Sequence, residues 1–206
     1  ANASLDNFTS EGPVMNVVRD IGPVEPHPEV WGSLMYLAAR EGDVAGMKIA
    51  YEKAQAGREQ NEGSEGSIVL DHGRALAALG RHREAVEVLE QARSELVRSE
   101  RSGDRVRSAD LSLELGKSRR KLGEYDVAER ELIGALIRYQ QLLSPHNLEL
   151  AEAMLALGEL ALEQRRFARA AKWLSRAESV YRTTAESDYP PLTRTRAALA
   201  EAQAGR

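Results

Sequence analysis

The chain has 206 residues, of which 42% are hydrophobic and 29% charged, with a formal net charge of −4 and no cysteine. This is enough apolar material for one sizeable core, while the acidic balance argues against nucleic acid as a partner, since nucleic-acid binders carry a basic excess. The lack of cysteine removes disulfides, thiol nucleophiles and cysteine zinc sites and suits a reducing cytoplasm, and no run of about 18 apolar residues is present to span a membrane.

Residues 1–27 carry Gly12-Pro13, Gly22-Pro23 and Pro26-His27-Pro28 in a polar stretch, and proline keeps its predecessor extended. They are expected to form an extended lead-in arm. The chain starts Ala-Asn-Ala and stops at Ala-Gly-Arg directly after a helical pattern, as a processed or excised piece of something longer would. Asn2-Ala3-Ser4 and Asn7-Phe8-Thr9 match the glycosylation sequon, a pattern frequent by chance.

From residue 28 onward the apolar period is helical. Helices are predicted over 29–41, 43–57, 66–79, 82–100, 104–122, 125–143, 147–164, 167–185 and 191–204. Breakers separate them in pairs: Asn61 to Gly66, Ser102-Gly103-Asp104, Ser144-Pro145-His146-Asn147, and Ser187 to Pro191. Alanine and leucine fill the apolar positions and aromatics make up only 5%, which favours helix over strand. The fold class expected is all-α.

One spacing recurs along these helices. Gly80, Ala85, Leu89 and Ala92 are repeated by Gly123, Ala128, Leu132 and Ala135, and again by Arg165, Ala170, Leu174 and Ala177, in steps of 43 and 42 residues. A weaker copy, Gly42, Met47, Tyr51 and Ala54, lies 38 residues upstream of Gly80. Seven residues before the last three turn positions stand Gly73, Gly116 and Gly158. A small residue recurs where two antiparallel helices must approach closely, and glycine at the turn permits a left-handed helix end. Arg165 lacks that freedom, so its turn is expected to be strained or differently wound.

Trp31, Leu34, Met35 and Ala38 fall where a tetratricopeptide (TPR) repeat places W-x2-L-G-x2-Y, and Tyr51 takes the aromatic slot of A-x3-F. Residues 28–206 thus resemble the TPR family. Steps of 42 or 43 residues exceed the ordinary 34 by about two helical turns, similar to the long repeats of kinesin light chains and of bacterial regulatory proteins. Ser144-Pro145-His146-Asn147 is similar to the Pro-Asp-His-Pro linker of those long repeats, with Asn147 in place of the second proline. The resemblance implies one right-handed superhelical solenoid of antiparallel helix pairs, with repeats at 28–65, 66–103, 104–146 and 147–189 and a capping helix in 190–206. It also implies partner binding through a concave groove lined by the first helix of each pair.

Phase indicates which residues would line that groove. The lead glycine faces the partner helix, so positions one and five residues later project toward the inner curve: Tyr36 and Arg40, Arg74 and Ala78, Lys117 and Lys121, and Glu159 and Glu163. With Arg120 beside them, these give a basic centre, an acidic C-terminal end and an aromatic edge at Tyr36. A partner protein or peptide with an acidic segment would be steered to the basic centre. The Lys, Asn and Arg constellation with which some TPR modules clamp C-terminal carboxylates lacks its asparagine on these faces. Charges that merely keep a solvated face soluble account for the same pattern.

Signs of catalysis are lacking. His27, His72, His82 and His146 are dispersed, and none pairs at i, i+4 with another histidine; packing explains His72. Glu124, Asp126 and Glu129 open a helix, where anionic side chains meet the positive end of the dipole. Gly63-Ser64-Glu65-Gly66 lacks the Lys-Ser/Thr of a phosphate loop. Arginines around 98–107, 119–120 and 165–176 alternate with glutamates, as in solvated i, i+4 pairs. The sequence therefore reads as a non-catalytic, cofactor-free interaction scaffold, a cytoplasmic module of a larger bacterial signalling protein. The alternative is a ligand- or peptide-sensing domain that controls an attached effector such as a kinase or transcription factor.

Overall fold

The computed structural model describes residues 28–58, 65–96 and 104–205. The lead-in arm, the two sequons and most of the first two breakers lie outside them. Among the described residues there are nine helices and no strand: α1 (Pro28–Arg40), α2 (Val44–Arg58), α3 (Glu65–Ala78), α4 (His82–Leu96), α5 (Asp104–Lys121), α6 (Tyr125–Leu142), α7 (Leu148–Glu163), α8 (Phe167–Thr184) and α9 (Pro190–Ala204). Each begins and ends within about a turn of its predicted span. One difference has a clear cause: Asn147 stands before α7, where its Oδ1 accepts the Glu149 N–H at 3.0 Å and caps the helix. The departure from the proline of similar linkers thus places a cap.

The four hairpin turns share one geometry. Gly42, Gly80 and Gly123 have φ of +76, +76 and +78°, and Arg165 follows them at +59°. In the third turn the Gly123 N–H donates to Arg120 O at 3.0 Å and the Glu124 N–H to Arg119 O at 3.0 Å. In the fourth, Arg165 and Arg166 make the matching bonds to Leu162 O and Ala161 O, both at 2.8 Å. This is the Schellman closure, which satisfies the last carbonyls of the preceding helix. The turn at Arg165 is therefore wound like the others and is the strained member of the set, because a left-handed non-glycine residue costs roughly 1 to 2 kcal/mol. Arg165→Gly is expected to raise stability by about 1 kcal/mol, read as an upward shift in melting temperature; a fall would show that the arginine side chain outweighs the strain.

The chain divides into two compact units, Ala1–Val88 and Leu89–Arg206, with the boundary inside α4. In the first unit, Trp31, Leu34, Met35 and Ala38 of α1 pack with Met47, Ala50 and Ala54 of α2 and with Ile68, Ala75 and Leu76 of α3. Gly32 lets α3 come close: a Cβ there would lie 2.2 Å from the Asp71 carboxylate. His72, next to Asp71, stacks instead on Tyr51 of α2, with ring centroids 4.1 Å apart. Burial lowers the His72 pKa, Arg81 adds to the effect and Glu84 opposes it, so the imidazole is held in its neutral form.

In the second unit, α5 pairs with α6 and α7 with α8, while α9 closes the row against α8 and α7. The repeated residues are the core: Ala128, Leu132, Ala135 and Tyr139 of α6 and Ala170, Leu174, Ala177 and Tyr181 of α8 are all buried. Gly116 and Gly158 sit directly over the repeat leucines, so that a Cβ would fall 2.6 Å from Leu132 Cγ or 2.5 Å from Leu174 Cγ. α7, packed against α8, against the α5–α6 pair on one side and against α9 on the other, buries ten residues from Leu150 to Ala161, whereas α9 buries Leu192, Thr195, Leu199 and Ala202 on one face only. Its opposite face carries exposed Arg196 and Glu201, the polar surface that a terminal helix needs.

Candidate functional site

The residues singled out by phase fall into separate groups. In the first unit Tyr36 and Arg40 are exposed on the same face of α1, with the Arg40 guanidinium carbon 6.0 Å from the Tyr36 ring centre. Arg74 on α3 lies 3.7 Å from the Asp71 carboxylate, and Ala78 is exposed at the end of that helix.

In the second unit, Lys117, Arg120 and Lys121 of α5 are brought against Glu159 and Glu163 of α7. Arg120 donates from one terminal nitrogen to Glu163 and from the other to Glu159, each at 2.7 Å, with its side chain only 5% exposed. Lys121 stands 3.7 Å from Glu163 and is half exposed. Lys117 is held at 3.0 Å by Glu114 of its own helix and at 2.7 Å by Glu152 of α7. Burial alone would lower the Lys117 pKa, but these two carboxylates outweigh it and raise it well above the usual lysine value. On the far side of α7, Arg194 of α9 grips Glu159 through Nε and a second nitrogen. Glu159 is thus shared by guanidinium groups from the helices on either side.

The basic centre and acidic end are therefore neighbours that neutralise one another. Residues one repeat apart occupy equivalent places on adjacent first helices, and Lys117 and Glu159, Lys121 and Glu163, and Glu152 and Arg194 are each 42 residues apart with opposite signs. Glu114, Glu152 and Arg194 were not among the residues picked out by phase. The signal that finds two of them is charge reversal at the repeat spacing.

The tyrosines follow the same period. Tyr139 of α6 donates to Asp110 of α5 at 2.5 Å, and Tyr181, its repeat equivalent on α8, has a pKa pushed above the usual phenol value by burial and by the Glu152 carboxylate. Tyr189, 5.6 Å from Tyr181 between ring centres, is shifted the same way by burial, Glu152 and Glu149. The Tyr181 and Tyr189 hydroxyls stay protonated, and the Tyr139 hydroxyl joins α6 to α5. No group of three or more histidine or acidic side chains among the described residues is placed to hold a metal ion, and no described helix is long and apolar enough to cross a membrane.

Residues 107–183 match the tetratricopeptide repeat family. No curated protein matches the chain in sequence. Among solved structures the chain is similar to BtubC (BKLC) from P. vanneervenii, at 19% identity over 93% of this chain and 79% of that one, with a TM-score of 0.71. It is also similar to a Podosopora anserina protein described as a kinesin light chain with nearly identical TPR-like repeats, at 20% identity over 87% of this chain and 88% of that one, with a TM-score of 0.61. A variant of that protein gives a TM-score of 0.64 at the same identity and coverage. At such identities the likeness is one of fold.

Proposed function

Because residues 107–183 match the tetratricopeptide repeat family and the chain has the fold of kinesin-light-chain-like repeat structures, we propose that it is a non-catalytic protein-interaction module. Repeats of this kind bind proteins or peptides on the face made by their first helices. In the second unit that face is α5, α7 and α9, and the observation that carries the reading is the row of charges those helices interlock across it. The Ala and Leu face packs beneath this row, and its partly open members, Lys121 and Glu152, are accessible to a partner. In the first unit the corresponding residues are Tyr36, Arg40 and Arg74.

Each cation of the row already faces a carboxylate. An acidic partner segment gains there only by exchange with Glu152 or Glu163, so the partner assigned to this face carries charges of both signs and extends the alternation. Charge pattern then selects the partner more than net charge does. The setting consistent with this reading is a cytoplasmic module of a larger bacterial signalling protein.

The test is selection of a displayed random dodecapeptide library on the intact chain. Peptides that survive selection are expected to lose about tenfold or more in affinity with Lys121→Glu or Glu152→Lys, both partly open positions. Selected peptides that bind these variants as well as the parent would sink the assignment to the first-helix face.

A further inference from the structure

The cations on the inner row are spoken for, but those on the outer side of α8 are not. Helix α8 reads FARAAKWLSRAESVYRTT, with four basic residues and one carboxylate. That carboxylate, Glu178, turns to Arg196 of α9 at 3.2 Å, away from the solvent face. Glu129 of α6 takes Arg166 and Arg169. Among the described residues Lys172 and Arg176 of α8, and Arg165 in the turn that leads into it, have no acidic partner, and all three are exposed.

Lys172 and Arg176 lie one helical turn apart, and the exposed positions between and beyond them are Ser175 and Ser179. Arg176 does not swing freely: its guanidinium carbon stands 5.1 Å over the centre of the half-buried Trp173 ring, a cation–π contact that holds the side chain in place. The face is thus cationic, free of carboxylates and floored by small hydroxyl residues that let a backbone approach. The repeat-equivalent helix differs. α6 shows exposed Asp126 and Arg130 and an apolar Ile137 where α8 has Ala168, Lys172 and Ser179. The feature therefore belongs to α8 and is not imposed by the repeat.

We infer that the outer face of α8 is a docking surface for a short acidic protein segment, held by Lys172, Arg176 and Arg165. Charge complementarity identifies the partner, and the surroundings limit its length. Exposed Glu186 and Asp188 follow the C-terminal end of α8, and Lys172 to the last helical residue, Thr184, spans about 18 Å at 1.5 Å per residue. A phosphate backbone running past the helix end would meet those carboxylates, whereas an acidic peptide of a few residues fits within the strip. The site lies on a second helix and stands or falls separately from the first-helix face.

The probe is a fluorescein-labelled decapeptide of alternating Glu and Ser, titrated against the intact chain by fluorescence anisotropy. Binding is expected at low salt and to weaken as salt rises. The double variant Lys172→Glu/Arg176→Glu should weaken it about tenfold or more with an unchanged melting curve, since both side chains are exposed. Lys121→Glu, on the inner row, should leave it within about twofold. A Gln-for-Glu peptide should not bind. Absence of binding by the parent, equal affinity in the double variant, or tighter binding of a deoxythymidine oligomer or of phosphatidylserine vesicles would each overturn the inference.

Discussion

Gly158→Ala is expected to destabilise the second unit by about 1 to 3 kcal/mol, although alanine is the better helix former. On an exposed helix the same exchange gains about 1 kcal/mol. Here the new Cβ would lie 2.5 Å from Leu174 Cγ and 2.6 Å from its Cδ2, so the root of a buried leucine must move, not the far end of a flexible chain. Leu174 is fully buried between Ala170 and Ala177 and has no free direction to take. Gly134, in the middle of α6, is the internal control: among the described residues, and apart from the backbone of its own helix, its Cβ position meets a guanidinium nitrogen of Arg138 at 3.1 Å, the far end of a flexible side chain that can swing aside. Gly134→Ala should therefore stabilise by about 0.5 to 1 kcal/mol. Urea midpoints followed by far-ultraviolet circular dichroism would give both values. If the two variants shift in the same direction, close helix approach is not what fixes glycine at position 158. Leu174→Ala opens the space that the new methyl needs, so the double variant should cost less than the sum of the two single changes.

The repeat register was the most legible part of the molecule because close packing leaves few alternatives. A glycine seven residues before a turn, followed by Ala, Leu and Ala, is what two helices need in order to meet at that spacing, and Gly116 and Gly158 show the contact directly. The Arg165 turn was half legible. Loss of glycine flagged strain, but the structure keeps the winding and holds the arginine at φ +59°, because the flanking helices fix the bonds to Leu162 and Ala161. Phase assigns the candidate groove residues to α1, α3, α5 and α7, yet it does not give their electrostatics. Phase treats each helix singly, and the sign of a charge matters only beside its neighbour on the next helix. Lys117 and Glu152 are 35 residues apart and Arg120 and Glu163 are 43 apart, distances that one helix's periodicity cannot connect. Stacking supplies the connection. The unpaired cations of α8 were hidden for the same reason: in sequence Arg165, Arg169, Lys172 and Arg176 form one cluster, and only the position of Glu129 separates the engaged from the open.

Arg120→Met is expected to cost about 3 kcal/mol, the lower part of the range for removing one member of a buried ion pair. The Arg120 side chain is 5% exposed and that of Glu159 12% exposed, so loss of the guanidinium leaves carboxylate charge with little access to water. The cost stays near the lower limit because each abandoned carboxylate keeps a second cation, Arg194 for Glu159 and Lys121 at 3.7 Å for Glu163. Arg194→Met should cost less than about 1 kcal/mol, since its side chain is 57% exposed and water replaces what the ion pair gave. Salt should separate the two: rising ionic strength should shrink the Arg194 effect and leave most of the Arg120 effect in place. Arg120→Met with Glu159→Leu should recover much of the loss, because apolar groups of similar volume pack against the Ala and Leu floor without stranding a charge. If Arg120→Met proves neutral, the stacking of α5 on α7 rests on its apolar face alone and the charged row is left to serve recognition. If it destabilises as expected, the same side chains join successive first helices and present their outer ends to a partner, so binding at that face is coupled to how firmly the helices are held together.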